Sequence, residues 1–179
     1  MDRIICLVGE SGSGKTTIAQ VLEEDGYNVI HSYTTRPQRK LEEWGHRFVT
    51  GAVLQEHFDI PEYIVAYKFY DNYHYWAIRD QYKGLGTSIY VIDPDGIEML
   101  LSKVKDAEIV IVYLKADKEE RIYRMADQGR PIGDVGRRVG YDRNAFKRIR
   151  CNWVVDANSS ITDTIEQVKE VIRATGGNT

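Results

Sequence analysis

The chain has 179 residues, of which 42% are hydrophobic and 28% are charged, a composition typical of one ordinary globular domain. Its 24 Lys and Arg residues against 27 Asp and Glu residues give a net charge of −3, which argues against a protein that binds nucleic acid mainly through phosphate contacts. Cys6 and Cys151 lie far apart in the sequence, so we expect free thiols in a reducing compartment. The longest apolar run is about half of a membrane span, so we expect a cytoplasmic protein without a membrane partner.

Strand-like apolar runs alternate with helical patterns along most of the chain. Strands are predicted at residues 4–8, 27–31, 88–92, 108–114 and 153–155, and helices at residues 15–24, 96–104, 118–128 and 161–174. Gly26 lies where a glycine commonly ends a helix. Strands that alternate with helices indicate a parallel sheet, so the predicted fold class is α/β.

Two stretches interrupt this alternation. Residues 32–86 are aromatic-rich, with short strands expected at 62–69 and 72–77 around a turn at Tyr70 and Asp71, and they predict a small mixed insert on the sheet. Residues 128–140, which contain three arginines and four glycines, are predicted to be irregular. No repeat or linker divides the chain, so we expect a single domain.

A phosphate-binding loop follows the first predicted strand. Residues 9–16 read G-E-S-G-S-G-K-T and fit the pattern G-x-x-x-x-G-K-[ST] between an apolar strand and an amphipathic helix. In such a loop the glycines let backbone N–H groups surround phosphate oxygens, Lys15 reaches the β and γ phosphates, and the Thr16 hydroxyl binds Mg²⁺. A Gly/Ser-rich turn before a helix is the weaker alternative in this context. The predicted phosphate-binding residues are Gly9, Glu10, Ser11, Gly12, Ser13, Gly14, Lys15, Thr16 and Thr17.

The loop alone does not define the reaction. The chain lacks the N-K-x-D motif with which regulatory GTPases read guanine, and it is too short for a motor or a large ATPase. Small phosphotransferases remain as the class of P-loop protein that fits this chain.

A second anion site is suggested after the second strand, where residues 32–39 read S-Y-T-T-R-P-Q-R. Arg36 and Arg39 lie three apart and match phosphate oxygens with their forked donors, although a solvated basic loop explains the charge pattern equally well.

Together these segments resemble the guanylate kinase family of nucleoside monophosphate (NMP) kinases. The resemblance rests on G-x-S-G-S-G-K-T-T at residues 9–17 and S-x-T-T-R-x-x-R-x-x-E-x-x-G at residues 32–45, and it continues more weakly to the end of the chain. It implies a P-loop NTPase fold with a parallel central sheet flanked by helices (1–31, 87–127 and 145–179), an NMP-binding insert (32–86) and a short lid (128–144). The implied reaction is Mg²⁺-dependent transfer of the γ-phosphoryl group of ATP to a nucleoside monophosphate, first of all GMP or dGMP. The implied partners are nucleotides and not nucleic acid, and the implied state is a monomer or homodimer.

The resemblance also implies roles for single residues. The acceptor nucleotide is expected at Ser32, Thr35, Arg36, Arg39, Glu42, Tyr75 and Asp93. Asp93 matches by position a family aspartate near the acceptor and the metal, so Mg²⁺ is expected at Thr16 and Asp93. With Lys15, the lid and post-lid arginines Arg130, Arg138 and Arg143 form the expected catalytic set, with Arg137 as an adjacent alternative. The histidines and Cys151 are assigned no role.

Departures from the family pattern concern the acceptor base. The glutamate and the Ser or Thr that read guanine in the family align at or near Val65 and Ala77, and Trp76 replaces a family glycine. Guanine specificity is therefore open, since such hydrogen-bonding groups carry most of the discrimination between bases.

A family tyrosine that touches the acceptor phosphate is replaced by Phe48 or lost, and hydroxyls from Tyr33, Tyr67, Tyr73 or Tyr75 are the alternatives.

Two other functions stay open. One is a phage-type or salvage kinase for another or several deoxynucleotides. The other is a non-catalytic guanylate-kinase-like binding module, against which the intact Lys15 and Thr16 argue.

Overall fold

A computed structural model describes residues 1–147 and 149–176 of the chain. In chain order its elements are β1 (Asp2–Val8), α1 (Lys15–Glu24), β2 (Asn28–Val29), β3 (Ser32–Thr34), β4 (His46–Phe48), α2 (Gly51–Phe58), β5 (Ile64–Tyr70), β6 (Tyr73–Ile78), β7 (Thr87–Val91), α3 (Pro94–Lys103), β8 (Ala107–Lys115), α4 (Lys118–Asp127), α5 (Ile132–Ala145), β9 (Trp153–Asp156) and α6 (Ile161–Ala174). A short 3₁₀ turn covers Arg79–Gln81.

The central sheet has five parallel strands in the order β2-β7-β1-β8-β9. Successive side chains of the middle strand β1 point to opposite faces. Ile5 and Leu7 therefore join the cluster that includes residues of α1 and α6, while Ile4 and Cys6 join the cluster that includes Leu100 of α3. Both faces of the sheet are covered, as parallel sheets require, and the predicted α/β class is confirmed.

The insert contains a second, mixed sheet in the order β4-β3-β6-β5. Strands β5 and β6 form a hairpin whose turn is at Asp71 and Asn72, both with positive φ (52° and 64°), one residue later than the sequence predicts. Helix α2, which the sequence analysis missed, covers this sheet and packs Leu54 near Trp76. The indole N–H of Trp76 donates to Nδ1 of His57 over 2.9 Å, so this buried polar group has a partner.

A polar contact joins the insert to the core. The indole Nε1 of Trp44 donates to Oε2 of Glu23 on α1 over 2.7 Å, and Oε1 of Glu23 lies 2.7 Å from Nε2 of His31. The rings of His31 and Trp44 meet edge to face with centroids 4.9 Å apart. Burial opposes the ionisation of Glu23, but its hydrogen bonds to His31 and Trp44 hold its pKa below the ordinary value.

The segment 128–140, predicted to be irregular, contains most of helix α5. The glycines inside α5, Gly133, Gly136 and Gly140, lie at open positions where a Cβ would meet nothing within 4 Å, so they weaken the helix without being required by packing. Asp134 compensates through pairs with Arg137 and Arg138 one turn later, at 2.6 and 3.0 Å. Cys6 and Cys151 are free thiols, as expected. Within the described part of the chain, no helix has both the length and the apolar character of a membrane span.

Candidate active site

A cleft of about 410 Å³ opens beyond the carboxyl ends of β1 and β7. Its walls come from the phosphate loop, the insert, the start of α3 and the lid helix α5. The lining residues are Gly9, Ser11, Lys15, Ser32, His46, Ala66, Tyr67, Lys68, Tyr70, Tyr75, Tyr90, Val91, Ile92, Asp93, Gly96, Arg137, Arg138, Tyr141, Asp142 and Phe146. The phosphate loop contributes Gly9, Ser11 and Lys15 to this cleft, and the second predicted anion site contributes Ser32, whereas Arg36 and Arg39 lie outside the lining residues.

The phosphate loop is tightly constrained at Gly12. Its φ of +84° is a left-handed conformation that favours glycine, and a Cβ there would lie 2.6 Å from the carbonyl oxygen of Arg121. Lys15 curls back over the loop, where its Nζ donates to the carbonyl oxygens of Gly9 (2.6 Å) and Glu10 (3.0 Å). Burial lowers the pKa of Lys15 to about 8, although Asp142 and Glu10 oppose the shift.

Two charged residues that the sequence analysis did not single out hold this loop. Asp142 of α5 accepts the backbone N–H of Ser11 at 2.8 Å, and its side chain is only 6% exposed. Arg121 of α4 lies 3.6 Å from Asp142 and donates to the carbonyl oxygen of Ser11 over 3.3 Å. The lid helix is therefore tied directly to the phosphate loop. An arginine and an aspartate far apart in sequence carry no local signal of such a contact.

At the second predicted anion site, the buried Arg36 is held by Glu43. Its guanidinium donates to both carboxylate oxygens of Glu43, at 2.7 and 3.2 Å, and the backbone N–H of Arg39 donates to the same carboxylate at 2.8 Å. The hydrogen bonds from Arg36 lower the pKa of Glu43 to about 2. Glu42, the residue expected from the family spacing, is exposed with a φ of 53°, so the contact falls on its neighbour.

Ser32, Tyr75 and His46 share a wall of the cleft. The hydroxyls of Ser32 and Tyr90 form a hydrogen bond of 3.0 Å. Nδ1 of His46 is buried and has no hydrogen-bond partner within the described residues, and burial lowers the pKa of His46 to about 4. The histidines had no role in the sequence analysis, yet His46 lines the cleft.

Phe48 lies beneath Arg36, whose guanidinium carbon is 5.2 Å from the ring centroid. Thr35 accepts the backbone N–H of His74 at 3.0 Å, which ties β3 to β6.

The positions aligned with the family's guanine readers face the core. Val65 and Ala77 are 1% and 0% exposed and belong to the apolar cluster between sheet and insert. Lys68 on β5 lines the cleft instead and donates to Asp93, to Asp95 at 3.0 Å and to the Tyr141 hydroxyl at 2.9 Å. Burial opposes its charge, but these hydrogen bonds raise the pKa of Lys68 above the ordinary value.

Comparisons with known proteins agree with this architecture. No protein-family model matches the chain, and no curated protein does. Among solved structures, a guanylate kinase from Anaplasma phagocytophilum matches 99% of this chain and 87% of its own, with a TM-score of 0.66 and 20% identity. The fold is that of a guanylate kinase. TT1252 from Thermus thermophilus matches 98% of both chains, with a TM-score of 0.57 and 20% identity. The guanylate-kinase-like fold suspected from the sequence is thus confirmed, whereas substrate and activity are not established by likeness at this identity.

Within this guanylate-kinase fold the lid arginines gather around one carboxylate. Arg130, Arg137 and Arg138 lie 3.7, 2.6 and 3.0 Å from Asp134. Arg137 and Arg138 line the cleft, whereas Arg143 is exposed on α5 and lies outside the lining residues. Positive charge is therefore available on the wall of the cleft that α5 forms.

The residues expected to bind Mg²⁺ differ in how well they fit. Thr16 lies exposed in the first turn of α1, beside the loop, and suits an ion that keeps most of its ligands as water and phosphate oxygens. Asp93 fits less well, because one oxygen accepts the N–H of Gly96 at 2.8 Å and the other accepts from Lys68. Among the described residues there is no group of three or more His, Cys, Asp or Glu side chains that forms a metal site.

Proposed function

We propose that the chain is an NMP kinase that transfers the γ-phosphoryl group of ATP to a nucleoside monophosphate, with GMP and dGMP as the first substrates to test. The observation that carries the proposal is the cleft itself, in which Lys15 of the phosphate loop and the acceptor-side residues Ser32 and Tyr75 line one cavity. Phosphoryl transfer needs a donor and an acceptor held in line, and a single cleft of this kind provides both positions.

On the donor side, Lys15 and the backbone N–H groups of residues 9–17 bind the β and γ phosphates. Lys15 leaves its contacts with Gly9 and Glu10 to do so, and its charge is favoured by Asp142. Arg138, with Arg137 beside it, follows the migrating phosphoryl group from the lid, and Arg130 and Arg143 complete the cationic lid on closure. Thr16 would hold Mg²⁺, which when bound would supply positive charge to the phosphate oxygens. No residue forms a covalent intermediate.

On the acceptor side, Arg36, Arg39, Ser32 and Tyr75 bind the acceptor phosphate. The ion pair with Glu43 fixes the Arg36 guanidinium in place before the nucleotide arrives, which reduces the entropy lost on binding. Thr35 supports this group through its contact with His74, and we assign Asp93 to the acceptor nucleoside because Lys68 engages it. The family pattern implies that Thr35 binds the acceptor nucleotide directly and that Asp93 also binds Mg²⁺; here Thr35 has a supporting role, and Asp93 is assigned to the nucleoside alone.

The test is an assay of ADP release with Mg·ATP and GMP, dGMP, AMP, dAMP, CMP, dCMP, UMP and dTMP as acceptors. Replacing Lys15 by Ala should abolish transfer, because phosphate positioning depends on it, while the circular dichroism spectrum is unchanged. Lys105→Ala is the matched control, since Lys105 is exposed and, among the described residues, its side chain donates a hydrogen bond only to the Leu101 carbonyl oxygen. Near-normal turnover by the Lys15→Ala variant would refute the mechanism.

A second candidate is a kinase for another or several deoxynucleoside monophosphates. The burial of Val65 and Ala77 favours it, because neither side chain can reach an acceptor base. Phosphorylation of several bases at similar rates would support this candidate. If wild-type protein phosphorylates none of the acceptors, a non-catalytic binding module becomes the better explanation.

A further inference from the structure

Lys68 crosses the cleft from one wall to the other. On β5 it pairs in register with Tyr75 of β6, so the two side chains start side by side on the insert. The Lys68 ammonium reaches Asp93 and Asp95 at the start of α3 and the Tyr141 hydroxyl on α5. One side chain thus contacts the core and the lid from the insert, in the space between the three.

This space is where an acceptor base belongs under the proposed function. The acceptor phosphate is assigned to the wall with Ser32 and Tyr75, and the base is the part of the nucleotide farthest from that phosphate. Lys15 and Asp142 belong to the phosphate loop, and Arg137 and Arg138 belong to the lid. The cleft-lining charges that remain for the base are Lys68 and Asp93, with Asp95 adjacent.

An ammonium beside a carboxylate forms a donor next to an acceptor. The Watson–Crick edge of guanine has the matching order, because the O6 acceptor stands next to the N1–H and N2–H donors. Adenine and cytosine carry an amino donor where guanine has O6, and thymine and uracil present O4 and N3–H but lack the second donor, N2–H. The Lys68 N–H groups already have three acceptors, but the Asp95 side chain is 70% exposed, so water can replace Lys68 there when one N–H turns to the base.

We propose that Lys68 determines base choice by donating a hydrogen bond to O6 of a guanine nucleotide, while the Asp93 carboxylate accepts from the N1–H and N2–H edge. This inference rests on the proposed function and specifies its acceptor. Lys68 thereby replaces the readers that are missing at Val65 and Ala77. It is a specificity-determining residue, since it contacts the base and not the migrating phosphoryl group.

The test combines enzyme variants with an analogue that lacks O6. We would measure kcat/KM for GMP and for 2-aminopurine riboside monophosphate with wild type, Lys68→Met and Lys68→Gln. Lys68→Met should lower kcat/KM about tenfold or more for GMP but less than about twofold for the analogue, because only GMP loses a charged hydrogen bond. Lys68→Gln, which keeps an uncharged donor, should recover part of the loss. Lys83→Met is the control, since the ammonium of Lys83 has, in the part of the chain that the structure describes, a single charged neighbour, Asp106 at 4.0 Å.

Several outcomes separate this inference from the proposed function. Equal losses for GMP and the analogue would show that Lys68 only supports the cleft, and would overturn the inference alone. A wild-type preference for AMP, CMP, UMP or dTMP would also overturn it, while leaving NMP kinase activity in place. If wild type phosphorylates no monophosphate, the proposed function itself fails. Should Lys68→Met not fold, as judged by circular dichroism, the comparison of wild type with Lys68→Gln on the same two acceptors decides the question.

Discussion

Replacing Glu43 by Gln should destabilise the fold by removing the charge that pairs with Arg36. The Glu43 and Arg36 side chains are 15% and 7% exposed, so little water replaces the lost ion pair. The Arg36 hydrogen bonds lower the pKa of Glu43 from 4.5 to about 2. This lowering of the pKa corresponds to about 3 kcal/mol of unfolding free energy at neutral pH. Glu42→Gln, at the exposed neighbouring position, should change stability by less than about 0.5 kcal/mol.

The sign of the pH dependence follows from the lowered pKa. The unfolded chain binds a proton at Glu43 more readily than the folded chain, so this stabilisation is complete above about pH 5 and declines as pH falls towards 2. Urea unfolding followed by tryptophan fluorescence at several pH values between 7 and 3 measures it. The difference between wild type and Glu43→Gln should shrink to less than half by about pH 3. Equal midpoints for the Glu43 and Glu42 variants, or a difference independent of pH, would refute the reasoning.

Three further predictions concern the loop and the cleft. Gly12→Ala should lower the free energy of unfolding, measured in urea, by about 1–3 kcal/mol more than Gly26→Ala does. Both glycines have positive φ, but only at Gly12 would a Cβ lie 2.6 Å from a backbone oxygen. Equal losses of stability in the two variants would contradict this reasoning. The kcat/KM for ATP should fall above about pH 8 as Lys15 loses its proton. Asp142→Asn should move this decline to lower pH, because the Asp142 charge favours the protonated lysine. A decline at the same pH in the variant would show that Asp142 does not act on Lys15. Because burial lowers the pKa of His46 to about 4, this group should raise the free energy of unfolding by up to about 1.4 kcal/mol per pH unit between pH 4 and 6.5. His46→Gln should reduce that slope in urea unfolding. An identical slope in the variant would show that another group is responsible.

The sequence predicts best where a local pattern and a motif coincide. Helix α1 begins at Lys15 and ends at Glu24 as expected, because the phosphate-loop motif marks its start and Gly26, with φ of 93°, follows its end. Helix α6 also has its predicted bounds, and Ser160 caps it through the N–H of Asp163. The strands of the central sheet are found within a few residues of their predicted positions.

The insert was predicted less well than the core, and the causes are physical. Helix α2 has only 8 residues and begins at Gly51, so it carries too little periodicity to be recognised. In β5, a register shift between Ile64 and Ala66 changes which residues face the core, and Val65 is buried as a result. No local pattern reveals such a shift, and the alignment with the family pattern pointed to Val65, whereas Lys68 is the β5 residue with a charged side chain that lines the cleft.

The side-chain partners of the candidate site were harder still to predict. Glu43 rather than Glu42 pairs with Arg36 because the chain turns through positive φ at Glu42, a single-residue event. The contact between Asp142 and Ser11 spans 131 positions of the sequence. Such pairs depend on the packing of whole elements and not on neighbouring residues, so only a three-dimensional structure supplies them.

The hydrogen bond between Trp44 and Glu23 allows the intrinsic fluorescence of the chain to report on the contact between insert and core. The indole of Trp44 belongs to the insert and its acceptor to α1, so any rotation of one against the other changes the polarity around the ring. Trp76 sits 1% exposed in the core of the insert and provides a steady background, while Trp153 is 42% exposed at the edge strand β9 and can be replaced by Phe to remove its signal. Emission from Trp44 would then report any change in its contact with Glu23 in real time, without an attached dye.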